Sequence, residues 1–101
     1  MLSEELWLKI KEHFLGLDEV QKSGESLKIR RKMFVFHSGE KLVLKLPKER
    51  VTEFLNSGEG LPYDPGNGKI MKEWVIIPYE QKDKWWDLTE EAMNFAITLA
   101  K

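Results

Sequence analysis

Two histidines, His13 and His37, are the side chains of this sequence whose ordinary titration falls near neutrality. Neither has a partner at i, i+4 spacing, so neither is placed for acid–base work by the sequence. His13 borders an apolar helical stripe and reads as a boundary residue; His37 falls at a hairpin tip. The carboxylate pairs Glu4-Glu5 and Glu90-Glu91 are chain neighbours, which on a helix point to different sides. A metal-binding ridge of Glu4, Glu5 and Glu12 is interrupted by Lys9 and Lys11. There is no cysteine, no HExxH and no GxSxG. Gly66-Asn67-Gly68-Lys69 lacks the remaining phosphate-loop spacing and no Ser or Thr follows the lysine. Asp64-Pro65-Gly66-Asn67 is turn chemistry instead, with Tyr63 expected to pin the loop to the body. These residues assign no catalytic group, no metal ligand and no cofactor, and the chain reads as non-enzymatic.

The cationic residues carry more information. Lys28, Arg30 and Lys32 alternate along one stretch, Lys41 and Lys45 flank them, and Phe34 and Phe36 lie between. Basic side chains hold phosphates, while aromatic rings stack on bases or wedge into a groove. The candidate nucleic-acid site is therefore Lys28, Arg30, Lys32, Phe34, Lys41 and Lys45, with DNA as the favoured partner. The competing reading is a solvated sheet face. Phe34 and Phe36 would then pack under a helix, and Glu49 or Glu53 would neutralise the lysines. Net charge is −1, so the whole molecule has no pull toward a polyanion. The charge is uneven, however: residues 25–50 hold eight Lys or Arg against three acids.

Those residues need a scaffold, and the stretch from Leu27 to Leu46 supplies it as one β-hairpin. Ser38-Gly39 is the expected two-residue turn. Val35 then faces Leu42 and Met33 faces Leu44 on a core side. Phe36 faces Lys41, Phe34 faces Val43 and Lys32 faces Lys45 on the other. The last is a like-charge pair, which costs up to about 1 kcal/mol unless an anion lies nearby.

Around the hairpin the pattern predicts a first helix capped by Ser3, with Leu6, Ile10, Phe14 and Leu17 on one stripe beside Trp7. Gly16 is its stop, and residues 18–23 form a short edge strand or loop. Pro47 ends the hairpin and starts a helix over Lys48 to Asn56, carrying Val51, Phe54 and Leu55. Two prolines and three glycines between Glu59 and Gly68 exclude regular structure there. Lys69 to Pro78 is a strand apolar on both faces through Trp74, Val75, Ile76 and Ile77, hence central or covered on both sides. The last helix, capped by Asp83, buries Trp85, Leu88, Ala92, Phe95, Ala96 and Leu99, with Trp86 at the boundary. The fold class is α+β: an antiparallel sheet built around a central hairpin, with N- and C-terminal helices packed on one face.

A length of 101 residues fits a single domain spanning the whole chain. Hydrophobic residues at 42% and charged residues at 33% suit a folded globular protein. The absence of cysteine excludes disulfides. No membrane span or signal sequence is evident, and a cytoplasmic protein with no membrane partner is expected.

Several motifs together resemble the N-terminal domain of the TfoX/Sxy family, in the wider YjbR/MmcQ-like group. They are Lys32-Met33-Phe34, Leu42-Val43-Leu44-Lys45-Leu46-Pro47, Arg50-Val51, Tyr63-Asp64-Pro65-Gly66 and Met71-Lys72-Glu73-Trp74-Val75 with Pro78. The resemblance implies a frataxin-like α+β order and a link to competence regulation or DNA binding. It supplies no catalytic residue. Regulators of that family carry a second, C-terminal domain, which this chain, ending at Lys101, is expected to lack. The family's glycine before the Lys-Met-Phe motif is Arg31 here, adding one more charge to the expected basic strand. The function expected is a binding or regulatory module for DNA. The alternative is a protein-interaction module using the Pro-Gly loop and exposed tryptophans. A small-molecule binder or an unrecognised enzyme is the third class.

Overall fold

Apolar alternation and turn glycines organise the middle of the chain into a six-stranded antiparallel sheet, and helices flank it in sequence. The structure, a computed structural model, describes residues 2–64, 68 and 71–99. In chain order it contains α1 (Leu2–Leu15), β1 (Val20–Ser23), β2 (Ser26–Ile29), β3 (Lys32–Ser38), β4 (Lys41–Lys45) and α2 (Lys48–Ser57). Then come β5 (Leu61–Pro62), β6 (Trp74–Pro78), a 3-10 helix (Tyr79–Lys84) and α3 (Trp85–Leu99). The strand order is β1-β2-β3-β4-β6-β5. This is the α+β architecture expected.

All three helices lie on one face. Trp7, Ile10 and Phe14 of α1, Val51 and Phe54 of α2, and Trp85, Leu88, Ala92 and Ala96 of α3 share one buried cluster with Leu27, Val35, Leu42, Leu44, Val75 and Ile77. The strand residues in that cluster alternate along their strands, as one face of a pleated sheet requires. Val43 and Trp74 are buried but outside the cluster, because they point the other way. Arg50 ties α2 to α3 through a two-bond contact with Glu91, Nε to Oε2 at 2.7 Å and Nη2 to Oε1 at 3.1 Å. Gly60 lets the chain after α2 pass against β6: a Cβ there would sit 2.7 Å from Val75 Cγ2.

Three expectations about the hairpin need correction. First, residues 27–38 are two strands, because Arg30 and Arg31 turn the chain with φ of 50° and 70°. Two positive φ values in a two-residue loop define the type I′ geometry that Asn-Gly ordinarily fills. Each arginine is held there at a cost of about 1 kcal/mol or more. Arg31 is therefore a turn residue, on a backbone that suits the glycine of the resembling family. Second, the β3–β4 turn is Gly39-Glu40, closed by Ser38 opposite Lys41. Gly39 takes φ of 61° at the first turn position, so the partners shift: Val35 meets Leu44 and Phe36 meets Val43. Lys45 lies beside Trp74 and Lys32 opposite Ile29, so the like-charge pair does not form. Third, Phe34 is the extra residue of a bulge, since Leu27 pairs with Val35 and Lys28 with Met33. The bulge turns Phe34 into the helix-side core, where it is fully buried next to Val35.

Smaller differences have local causes. Ser3 lies inside α1 and is fully buried rather than capping it. Leu17 falls after α1 and is exposed, as is Leu99 at the end of α3. α3 is entered through the 3-10 helix, so Asp83 is not its cap. A two-residue strand, Leu61–Pro62, forms within the expected loop by pairing with β6. β6 begins at Trp74 rather than Lys69, and residues 69 and 70, like 65–67 of the expected turn, lie outside the described residues. β6 is next to the edge rather than central, between β4 and β5.

Candidate functional site

The register defines the composition of the helix-free face. Ser26, Phe36, Val43, Ile76 and Leu61 form one row across five strands. Toward one end the next positions are Lys28 and Met33, then Lys45 and Trp74; toward the other they are Ser38, Lys41 and Pro78. Phe36, Tyr63 and Trp74 cluster, with Phe36 5.7 Å from each of the other two rings and Tyr63 6.1 Å from Trp74. Tyr63 thus anchors the loop after β5 on the sheet, and its carbonyl accepts from the Met71 N–H at 2.9 Å. Met33 and Leu61 are exposed, and Phe36 and Tyr63 are half-buried with no helix over them.

The candidate residues divide over this frame. Lys28, Lys41 and Lys45 share the open face. Arg30 is in the turn, its Nε 2.7 Å from Glu19 Oε2, and Lys32 is exposed at the start of β3 beside it. Phe34 is inaccessible; Phe36 is the aromatic ring of β3 that reaches the open face. The anion expected from α2 comes from elsewhere. Glu73 lies 3.6 Å from Lys45, and Glu53 pairs with Arg50 of its own helix. Lys45 Nζ also sits 5.3 Å over the Trp74 ring. Among the described residues no acid pairs with Lys28 or Lys41. Beyond Trp74 the face runs into a cleft of about 450 Å³ whose polar lining includes Lys45, Lys48, Lys72, Glu49 and Glu73.

A second constellation was invisible in the sequence because its members are far apart along the chain. The Trp7 indole N–H donates to Glu25 Oε2 at 2.8 Å, and Lys11 Nζ lies 3.5 Å from Glu25 Oε1. His37 stacks on Trp7 at 5.8 Å between centroids and 12° between planes. Its Nε2 is 3.3 Å from Ser3 Oγ, and that hydroxyl donates to the Gly39 carbonyl at 3.4 Å. Full burial of Ser3 makes this a packing contact rather than a nucleophile presented to a substrate. A pocket of about 340 Å³ opens between Trp7, Glu25 and His37. Among the described residues no three His, Asp or Glu converge as a metal site.

Burial holds His37 below its ordinary value, against the opposing pull of Glu25, Glu4 and Glu40. The unfolded chain then binds this proton more readily than the folded one, so stability is full above about pH 6.5 and falls as the pH drops below it. Thermal melts between pH 7.5 and 5 are expected to show a falling midpoint, and His37→Gln is expected to flatten the fall. The same slope in wild type and variant would remove His37 from the account.

No family model, curated protein or solved structure matches the chain.

Proposed function

We propose that this chain is a non-enzymatic, cytoplasmic binding module that engages DNA through the helix-free face of its sheet. The observation that carries the reading is the placement of Lys28, Lys41 and Lys45 around a row containing Phe36 on that face. Ammonium groups at both ends of an open surface suit a backbone of regularly spaced phosphates. The resemblance to the TfoX/Sxy N-terminal domain supports a regulatory use of such binding. No helix among the described residues is long and apolar enough to cross a membrane. A second reading, docking of another protein, rests on Met33 and Leu61, two large apolar side chains exposed on the same face.

The double substitution Lys28→Glu and Lys41→Glu separates the two. Among the described residues neither lysine pairs with an acid, so the melting temperature is expected to move little. A gel-shift titration at low salt is expected to show binding by the wild type and at least tenfold weaker binding by the double variant. For each phosphate that the variant no longer neutralises, the slope of log affinity against log salt should flatten by about 0.9 on duplex, or about 0.7 on a single strand. Unchanged binding in the variant, or none by the wild type, would hand the face to a protein partner.

A further inference from the structure

We infer that the nucleic acid taken by the open face is single-stranded, an inference that rests on the binding reading above and narrows it. Reading a duplex through its major groove needs an element that projects, an α-helix or a two-stranded ribbon. All three helices pack on the opposite side of the sheet. The β2–β3 tip does not project either: Val20 of β1 pairs with Ile29 immediately before the turn, and Arg30 is held by Glu19. What the face offers is a surface of strands with rings on it. Phe36, on an inner strand, and Tyr63 beside it are each half-buried, and both rings meet Trp74 on the same face. Bases in a duplex are stacked on one another and leave no face for these rings; bases of a single strand do.

The spacing of the charges suits such a ligand. Lys41 and Lys45 are four residues apart on β4, which places them about 13 Å apart along the strand, with Val43 between them on the same side. Two or so bases laid over Phe36 and Tyr63 would have their backbone within reach of an ammonium at either end, Lys28 and Lys45 at one and Lys41 at the other. Glu73 offsets part of the charge of Lys45, which leaves Lys28 and Lys41 as the main phosphate partners. Stacking contacts tolerate any base, so the binding should be weakly sequence-dependent.

Fluorescence anisotropy with a labelled twelve-residue oligothymidine and a twelve-base-pair duplex, at 50 mM salt, tests this directly. The wild type is expected to bind the single strand at least tenfold more tightly. Phe36→Leu keeps an apolar side chain opposite Val43 but removes the ring, and should weaken single-strand binding by about 5- to 100-fold. Tyr63→Leu, at the end of the cluster, gives the same readout should Phe36→Leu fail to fold. Equal or tighter binding to the duplex would overturn the single-strand inference and leave the DNA reading standing. Binding to neither would overturn both. Undiminished single-strand affinity in a folded ring-deletion variant would also overturn the inference, since the lysines alone would then account for binding.

Discussion

Trp85→Ala is expected to lower the unfolding free energy by about 3–5 kcal/mol, a large part of the roughly 5–15 kcal/mol that holds a domain of ordinary stability. Trp85 opens α3, is fully buried, and is one of the largest side chains in the core. Its indole N–H donates to the Pro78 carbonyl at 3.3 Å, and its ring meets Tyr79 and His37 edge-on at 5.7 and 6.1 Å. α3 lies across β3 and β4, the strands that carry Phe36, Lys41 and Lys45, so loosening Trp85 loosens the support of the open face. Trp86 is the internal control. One residue along the helix it points outward, touches His13 and Phe14, and is about a third exposed at 36%. Trp86→Ala should cost about 1 kcal/mol or less, near the range of surface substitutions. Denaturant midpoints for the two variants measure the difference; comparable losses would mean that the register of α3 on the sheet is wrong.

That contrast marks what kind of information the sequence held. Helical spacing separated Trp85 from Trp86 correctly, because burial on a helix follows directly from a 3.6-residue period. Pro47 marked the start of α2 for an equally local reason, a proline without a donor before the helix, and in the structure Gly58 with φ of 80° ends it. The α+β class, with a helix at either end of the sheet's strands, followed from such signals. The β2–β3 turn had no local signal, since Arg-Arg is not a turn pair and tertiary packing imposes its left-handed backbone. Missing that turn merged two strands, and the two-residue shift at Gly39-Glu40 then mispaired every residue across β3 and β4. The bulge at Phe34 was likewise beyond a strict period of two, and it removed one of the proposed site residues from the surface.

The candidate site was legible as composition and not as geometry. Lys41 and Lys45 share a face because they alternate on one strand, and Lys28 joins them because the bulge at Phe34 puts its partner Met33 on the same face as Phe36. Tyr63, Trp74 and Glu73 come from a separate part of the chain, and only the pairing of β6 with β4 brings them beside those lysines. Their arrival changes the electrostatics: Lys45 is drawn toward Glu73 and Trp74, whereas Lys28 and Lys41 hold no acid among the described residues. The notion of one uniform basic strand therefore gives way to a patch with two available cations and one partly satisfied one.

Trp7→Ala is the other substitution expected to cost about 3–5 kcal/mol, and its chemistry allows the loss to be divided. Trp7 is 1% exposed, packs with Ile10 and Phe14 in the core, stacks on His37 and donates to Glu25. Trp7→Phe keeps a ring and removes the donor. A hydrogen bond to a charged group contributes about 1.5–3 kcal/mol, but Glu25 is largely in water, so about 1 kcal/mol is the expected share of this bond. The indole bond is the main cause that holds the Glu25 carboxyl below its ordinary value, with Lys11 adding to it. A carboxylate with a depressed folded value contributes fully above about pH 4.5 and loses that contribution as the pH falls through the folded value. The gap between wild type and Trp7→Phe should accordingly narrow below about pH 4.5, while the gap for Trp7→Ala keeps its large packing component. Denaturant unfolding at pH 7 and pH 3.5 gives both numbers. An unchanged gap for Trp7→Phe across that range would mean that the indole–carboxylate bond adds no stability, and that α1 is held to the sheet by the packing of Trp7, Ile10 and Phe14 alone.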